Sequence, residues 1–370
     1  MATTDFGALS TAKKKVWATE IWLAGRDANF WMSNGFVGAG MNNVIQRITE
    51  LTRTERGDEC IMQLVADLQQ DGVAGDNVLT GNEEPLFNDS VSIHLDQLRH
   101  GVRSKGAMSE QRTVIRFRST AREKLAFWLA DKIDQLMFLM ASGVSFAFNN
   151  DGSTRATTSQ LTELAFASDV VAPTSGRQKF ANAASSTATL QQTDTIAWHM
   201  VVATQAYAKR KRMKPIRSGG REWYALVMST EQCRDLKNDP TYQTITSRAA
   251  PRGNDNPLFR NALAVIDGVV IYEHNKIQTT LGLASGSKWG AAGTVDGAQA
   301  LMLGAQAMGL ATINDVEYEE ADQNDYKNRP GIAVGRIIGM IKPQFTSIPD
   351  GNTKQDFGVI NLYTASAATT

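Results

Sequence analysis

Three features of the sequence predict an α+β fold. A long amphipathic helix is expected over 112–144. Two runs, 61–68 and 90–98, read as strands flanking a long loop, the second with clear period two. After residue 196, strands and helices follow one another without the regular βαβ rhythm of a doubly wound sheet.

Taken in order, residues 10–32 place Trp17, Ile21 and Trp22 at helical spacing and then add Phe30 and Trp31. An aromatic arm of this kind either closes over its own core or docks on a neighbour, and the residues do not choose. VIQRITEL (44–51) fits a strand or a helix equally. IMQLVADL (61–68) and SVSIHLDQL (90–98) then form the expected hairpin. Its tip is DGVAGDNVLTGNEEPLF (71–87). A two-stranded ribbon is marginal alone and needs something to pack on.

In 112–144, Leu125, Trp128, Leu129, Ile133, Leu136, Met137 and Met140 fall on one stripe, with Arg122, Lys124, Asp131 and Asp134 largely off it. That stripe is a core face and not a cofactor box. Residues 150–195 are rich in Ser, Thr and Ala and read as an inserted loop with one short helix at 160–167. A helix over 196–214, stopped by Pro215, comes next. Strand 223–228, helix 230–239 and strand 268–274 follow, with apolar β-like segments at 300–311, 335–345 and 356–364.

Length and composition bound the function. At roughly 150 residues per domain, 370 residues suggest two or three domains, and 42% apolar residues suffice for real cores. Thirty-eight basic residues balance thirty-eight acidic ones, which argues against dedicated nucleic-acid binding. Cys60 and Cys233 are far apart and suggest neither a disulfide framework nor a zinc site. The KKK run at 13–15 is followed by an apolar segment broken at Glu20, unlike a secretory signal. No run of about 18 apolar residues predicts a membrane helix.

Chemistry-bearing motifs are missing. Gly72, Gly75 and Gly81 do not make GxGxxG, and no Lys-Ser or Lys-Thr completes a phosphate loop. Asp71, Asp76, Glu83 and Glu84 lack the spacing of a calcium loop, although Asn77 and Asn82 offer further oxygens. His94, His100, His199 and His274 are scattered, and GxSxG does not occur. No catalytic residue, cofactor or metal is predicted. Two charge blocks remain, KRKRMKPIR (209–217) with six basic residues and DVEYEEADQND (315–325) with six acidic ones. They read first as solvated faces, next as mutual partners within or between copies, and last as a nucleic-acid contact.

An ordered series of segments carries a resemblance. VIQRITELTRTERGDE, LVADLQQDGVAGDNVLTGNEEPL, HLDQLRHGVRSKG and REKLAFWLADKIDQLMFL come first. KPIRSGGREWYALVMSTEQCRDLKNDPTYQ, PRGNDNPLFRNALAVIDGVVIYEH, LMLGAQAMGLA, IKPQF and DFGVINLYTA follow. Together the segments resemble the major capsid protein family of tailed phages, of the schitovirus-type podophage group. The match spans nearly the whole chain and is weakest over 150–195.

The resemblance implies the shell fold shared by tailed-phage and herpesvirus capsid proteins. Its expected divisions are an N-terminal arm (1–56), an extended hairpin loop (57–111) and a peripheral domain with spine helix and inserted loop (112–194). An axial domain (195–330) and C-terminal strands returning to the peripheral domain (331–370) complete it. It further implies a non-enzymatic protein that assembles into hexamers and pentamers of an icosahedral head around double-stranded DNA. Assembly would occur in the host cytoplasm, with portal, scaffolding and decoration proteins as further partners and no membrane. Expected inter-subunit contacts are Trp17, Trp22, Asp71, Asp76, Glu83, Glu84, Arg99, Arg103, Lys105, Arg210, Arg212, Glu319 and Glu320. The alternatives are a metal-dependent α+β hydrolase using the 71–87 carboxylates, and another virion part such as a tail or portal component.

Overall fold

The computed structural model describes residues 29–49, 57–65, 68, 71–84, 88–112, 117–248, 263–321, 328–347 and 350–368. Trp17 and Trp22 lie outside the described residues.

The chain begins with a short helix α1 (Phe30–Ser33), β1 (Val37–Gly38) and β2 (Ile45–Ile48). The ambiguous run at 44–51 thus contains a strand. Next come β3 (Glu59–Val65), β4 (Asn88–His94), β5 (Asp96–Arg103), helix α2 (Ala107–Gln111) and the long helix α3 (Phe117–Ser142). Strand β6 (Gln178–Phe180) precedes α4 (Trp198–Arg210), β7 (Ile216–Ser218), β8 (Arg221–Met228), α5 (Thr230–Asn238) and α6 (Pro240–Arg248). The remainder is almost all strand: β9 (Ala264–Ile266), β10 (Val269–Glu273), β11 (Gly297–Leu303), β12 (Met308–Ala321) and β13 (Gly331–Ile341), then β14 (Gln344–Ser347), β15 (Thr353–Asp356) and β16 (Val359–Ala365).

Two sheets organise these strands. A five-stranded sheet has the order β1-β2-β12-β13-β5, parallel from β1 to β12 and antiparallel beyond. A seven-stranded sheet runs β6-β16-β11-β8-β10-β9, with β7 added against β8. The long helix α3 lies between them. Its Leu129, Ile133, Leu136, Met137 and Met140 share one core with Val334 and Ile338 of the first sheet and Val227, Leu301 and Val359 of the second. The opposite face of the second sheet turns Leu226, Met228 and Met302 into another core with Met200 and Val201 of α4 and Cys233 and Leu236 of α5. Alternate residues of β8 and β11 therefore serve two different cores, so their buried stretches, 224–228 and 300–303, are continuous apolar runs.

Several boundaries differ from the sequence reading, each for a local reason. Helix α3 stops at Ser142 because Gly143 takes φ 67°. The Gly143 N–H donates to Met140 O (3.1 Å) and the Val144 N–H to Leu139 O (3.0 Å), the paired bonds of a left-handed helix stop. Helix α4 ends five residues before Pro215 by the same device, with Arg212 at φ 53° and the Met213 N–H bonded to Ala208 O. The short helix expected at 160–167 is two 3-10 turns, Leu161–Glu163 and Ala165–Asp169.

Period two runs unbroken through 90–98, yet the chain changes partner at Leu95. β4 pairs with β3, whereas β5 pairs with β13 in the five-stranded sheet. The segment 300–311 is likewise split between β11 and β12, which belong to different sheets. β12 and β13 are antiparallel neighbours from Gly309↔Ile341 to Ala321↔Gly331, across the expected boundary at 330. Of the last strands, β13 joins the five-stranded sheet, whereas β16 lies within the seven-stranded one.

Candidate assembly surfaces

The hairpin of β3 and β4 is built from a buried base and an exposed end. Its register runs from Glu59↔His94 to Val65↔Asn88. At the base, Cys60, Met62 and Ile93 pack with Ile48, Leu95, Ala311, Ile341 and Phe345. Ile61, on the other face of β3, is exposed, as alternation along a strand requires. Side chains fasten the far end of the two strands to the body as well. Asp89 Oδ2 accepts from the N–H and Oγ1 of Thr346 at 3.0 and 3.1 Å.

At the corner where the hairpin leaves the sheet, Asp169 holds His94 twice. It accepts from the backbone N–H at 3.1 Å and pairs with Nδ1 at 2.6 Å. Glu59 stands 3.4 Å from Nε2. The hydrogen bond to Asp169, reinforced by the charges of Asp169, Glu59 and Asp58, outweighs burial and raises the His94 pKa above its ordinary 6.5.

The described tip, residues 71–84, contains no strand. Gly72, Gly75 and Gly81 all have positive φ (76°, 65° and 89°), which a side chain would resist. The Asn77 and Asn82 side chains bond the carbonyls of Ala74 and Val78, and Glu83 Oε2 accepts from the Gly81 N–H at 2.6 Å. These asparagines stabilise turns. Asp71, Asp76 and Glu83 are exposed and Glu84 half-buried. Val78 and Leu79, at the tip's middle, are 68% and 57% exposed. Among the described residues no three His, Cys, Asp or Glu side chains gather where a metal ion could be held.

Composition conceals a separation of charge. From Gly57 to Leu98 the sequence has nine aspartates and glutamates and no lysine or arginine. The zero net charge of the whole chain therefore hides an acidic hairpin segment and a basic remainder.

The sequence-expected cations fall in two places. Arg99 and Arg103 are on β5 and Lys105 follows it, all exposed. Arg99 and the Glu317 carboxylate both lie within 4 Å of where a Cβ on Gly335 would stand. Glu319 and Glu320 are on β12. Glu320 is paired at 2.9 Å with Arg118 of α3.

Arg210 and Arg212 stand at the end of α4, where Lys179 Nζ, Arg210 Cζ and Lys211 Nζ surround the Tyr207 ring at 5.8, 5.2 and 5.7 Å from its centroid. Tyr207 donates its hydroxyl to Gly176 O at 3.0 Å. The Asp350 carboxylate binds both Lys211 and Arg177. Burial pushes the Asp350 pKa up, but bonds from Lys211 and Ser347 and the Arg177 charge outweigh it and hold the carboxyl below its ordinary value. The basic and acidic blocks are thus on different elements, with Lys211 paired to Asp350 and Arg217 to Glu222. Tyr207, Lys179 and the His94–Asp169 pair were not legible as site residues. The unbroken acidic stretch from 57 to 98 was a usable signal.

This fold, a long helix between two sheets with a hairpin extending from one of them, is matched by capsid proteins of known structure. The structure is similar to the capsid of Ralstonia phage GP4, with TM-score 0.80, 27% identity and all of both chains covered. It is also similar to the cyanophage Pam1 capsid, with TM-score 0.68, 18% identity, and 100% of this chain and 97% of that one covered. In sequence the chain is 42% identical over 374 residues to the major capsid protein of Pseudomonas phage KPP25, covering 98% of each. The chain belongs to the phage capsid protein family, whose model matches residues 6–368, and it is a tailed-phage major capsid protein. The hydrolase alternative draws no support from these relationships.

Proposed function

We propose that copies of this chain close into an icosahedral head of hexamers and pentamers enclosing double-stranded DNA, and that the acidic hairpin tip is one of the contacts between copies. The observation that carries this reading is the hairpin itself. Its base is buried in the body of its own subunit, while the tip exposes Val78, Leu79 and a set of carboxylates. Contacts of modest strength suffice in a closed shell, because each is made at the high effective concentration set by the others. Around a ring such contacts are heterologous, so one patch meets a different one on the next copy.

In this scheme residues 57–111 are the extended loop, α3 is the spine of a peripheral domain, and the seven-stranded sheet with α4 and α5 is the core of an axial domain. Residues 1–56 are the arm, with Trp17 and Trp22 as contacts. Portal, scaffolding and decoration proteins are the further partners, and assembly takes place in the host cytoplasm. Electron micrographs of the purified protein, with and without scaffolding partner, should show closed shells. A strictly monomeric chain at high concentration would overturn the reading. Glu83→Lys combined with Glu84→Lys should block assembly while the unassembled chain keeps its circular dichroism. Unchanged shell yield would remove the tip from the contact set.

A further inference from the structure

We propose that the cationic end of α4, gathered on Tyr207, receives the acidic hairpin tip of a second copy. This rests on the reading that the tip is an inter-copy contact, and it names the surface that the tip reaches. Four observations favour this surface over the cations of β5.

The first is local charge balance. The Arg99 side chain on β5 and the Glu317 carboxylate converge over Gly335, so that part of β5 has an acid of its own sheet beside it. At the end of α4, by contrast, Lys179, Arg210 and Lys211 surround one ring, and Lys209 and Arg212 are their exposed sequence neighbours. The acid there, Asp350, already serves Lys211 and Arg177.

The second is backbone strain. Arg212 holds φ 53° at the helix stop, where glycine is the unstrained residue. Strain of this kind is retained where the side chain has a use, and an exposed guanidinium with an inter-copy partner has one.

The third is the chemistry of the two surfaces. The tip carries an apolar pair, Val78 and Leu79, flanked by Asp71, Asp76, Glu83 and Glu84. The α4 end carries an aromatic ring flanked by cations. Apolar centre meets apolar centre and the rims are of opposite sign, the arrangement that steers encounter and fixes register.

The fourth is the origin of the occupant. The chain as a whole is neutral, so the nine carboxylates of 57–98 are balanced by a basic excess elsewhere on the same sequence. A second copy carries the complementary surface without any other partner.

The contact can be tested by mixing normal and 15N-labelled protein, assembling shells and treating them with a carbodiimide, which condenses a carboxyl and a lysine amine into an amide. The expected products are peptides from 71–84 of one isotope joined to Lys179, Lys209 or Lys211 of the other. Arg210→Glu with Arg212→Glu should lower shell yield at least about ten-fold without changing the circular dichroism of the unassembled chain. Adding Glu83→Lys and Glu84→Lys to that variant should restore shells. Tip links only to other lysines such as Lys105 or Lys124, or only within one isotope, would overturn the proposal. So would wild-type shell yield from the Arg210/Arg212 variant, including the case in which its shells form normally but lose packaged DNA. Shells of the unaltered chain in which the tip links to nothing would remove this contact while leaving the shell-forming function standing. Failure of the unaltered chain to form shells would remove both.

Discussion

Lys342 and Asp356 have no exposed side-chain surface and meet at 3.0 Å between Nζ and Oδ2. Burial lowers the Lys342 pKa, and the Asp356 charge opposes that shift. Asp356 also accepts from Gln344 Nε2 at 2.8 Å and bonds the backbone and side chain of Thr174, so the pair ties the β14–β15 hairpin to the loop before β6. Removing the cation leaves a buried carboxylate uncompensated. Lys342→Met should therefore cost about 3–5 kcal/mol in urea unfolding of the unassembled chain, and adding Asp356→Leu should recover part of the loss.

A second buried acid, Asp134 on α3, caps α1 by accepting the Phe30 N–H at 2.9 Å. Burial pushes its pKa up to about 7. Close by, burial and the Lys276 charge push His274 down to about 4. The Asp134 contribution is present below its ordinary 3.8 and is lost as pH rises through about 7. That of His274 is present above its ordinary 6.5 and is lost as pH falls through about 4. The two oppose one another across this window. Asp134→Asn removes the first alone, so the melting temperature of the variant relative to the parent should be higher at pH 8 than at pH 5.

At the scale of elements, the corner between β4 and β5 sets where the extended hairpin points. Protonated His94 there faces Asp169 from the 3-10 turn, Glu59 from β3 and Asp58 just before it. Because its pKa is raised, the stabilisation is present below pH 6.5 and lost as pH rises through the folded value. Hydrogen exchange of the β3 and β4 amides, corrected for the intrinsic rate, should lose protection from pH 6 to pH 8. With His94→Gln that pH dependence should vanish, and an unchanged profile would remove His94 from this role.

The same corner shows what the sequence could and could not disclose. Alternation of Val91, Ile93 and Leu95 announces strand and says which side chains face inward, but carries no information about which strand lies alongside. The change of partner is made by long-range pairing: the Leu95 N–H to Asp58 O bond at 2.8 Å ends the β3 side, and from Asp96 the chain pairs with Ile338 of β13. Helix α3 was legible because its apolar stripe is long and its contacts repeat. The 3-10 turns at 161–169 were not, since Leu164 and Phe166 give the same apolar spacing in either form.

On the scale of the whole molecule, net charge misled because it sums over position. A balance of thirty-eight against thirty-eight reads as bland, whereas residues 57–98 and the rest of the chain are of opposite sign. The α+β class and the acidic tip were legible in the residues, and the ordered resemblance supplied the capsid fold. The surface at Tyr207 was not, because it joins Lys179 to the end of α4 across a loop of irregular chain.

The placement of β16 has a consequence in time. It sits between β6 and β11, so the seven-stranded sheet stays open until residues 359–365 have been made. With β16 missing, β11 would present an unpaired edge, and Val359 would be absent from the core around α3. Without β16 the seven-stranded sheet and the core around α3 are therefore both incomplete, and the sheet closes only when a strand far along the chain docks between β6 and β11.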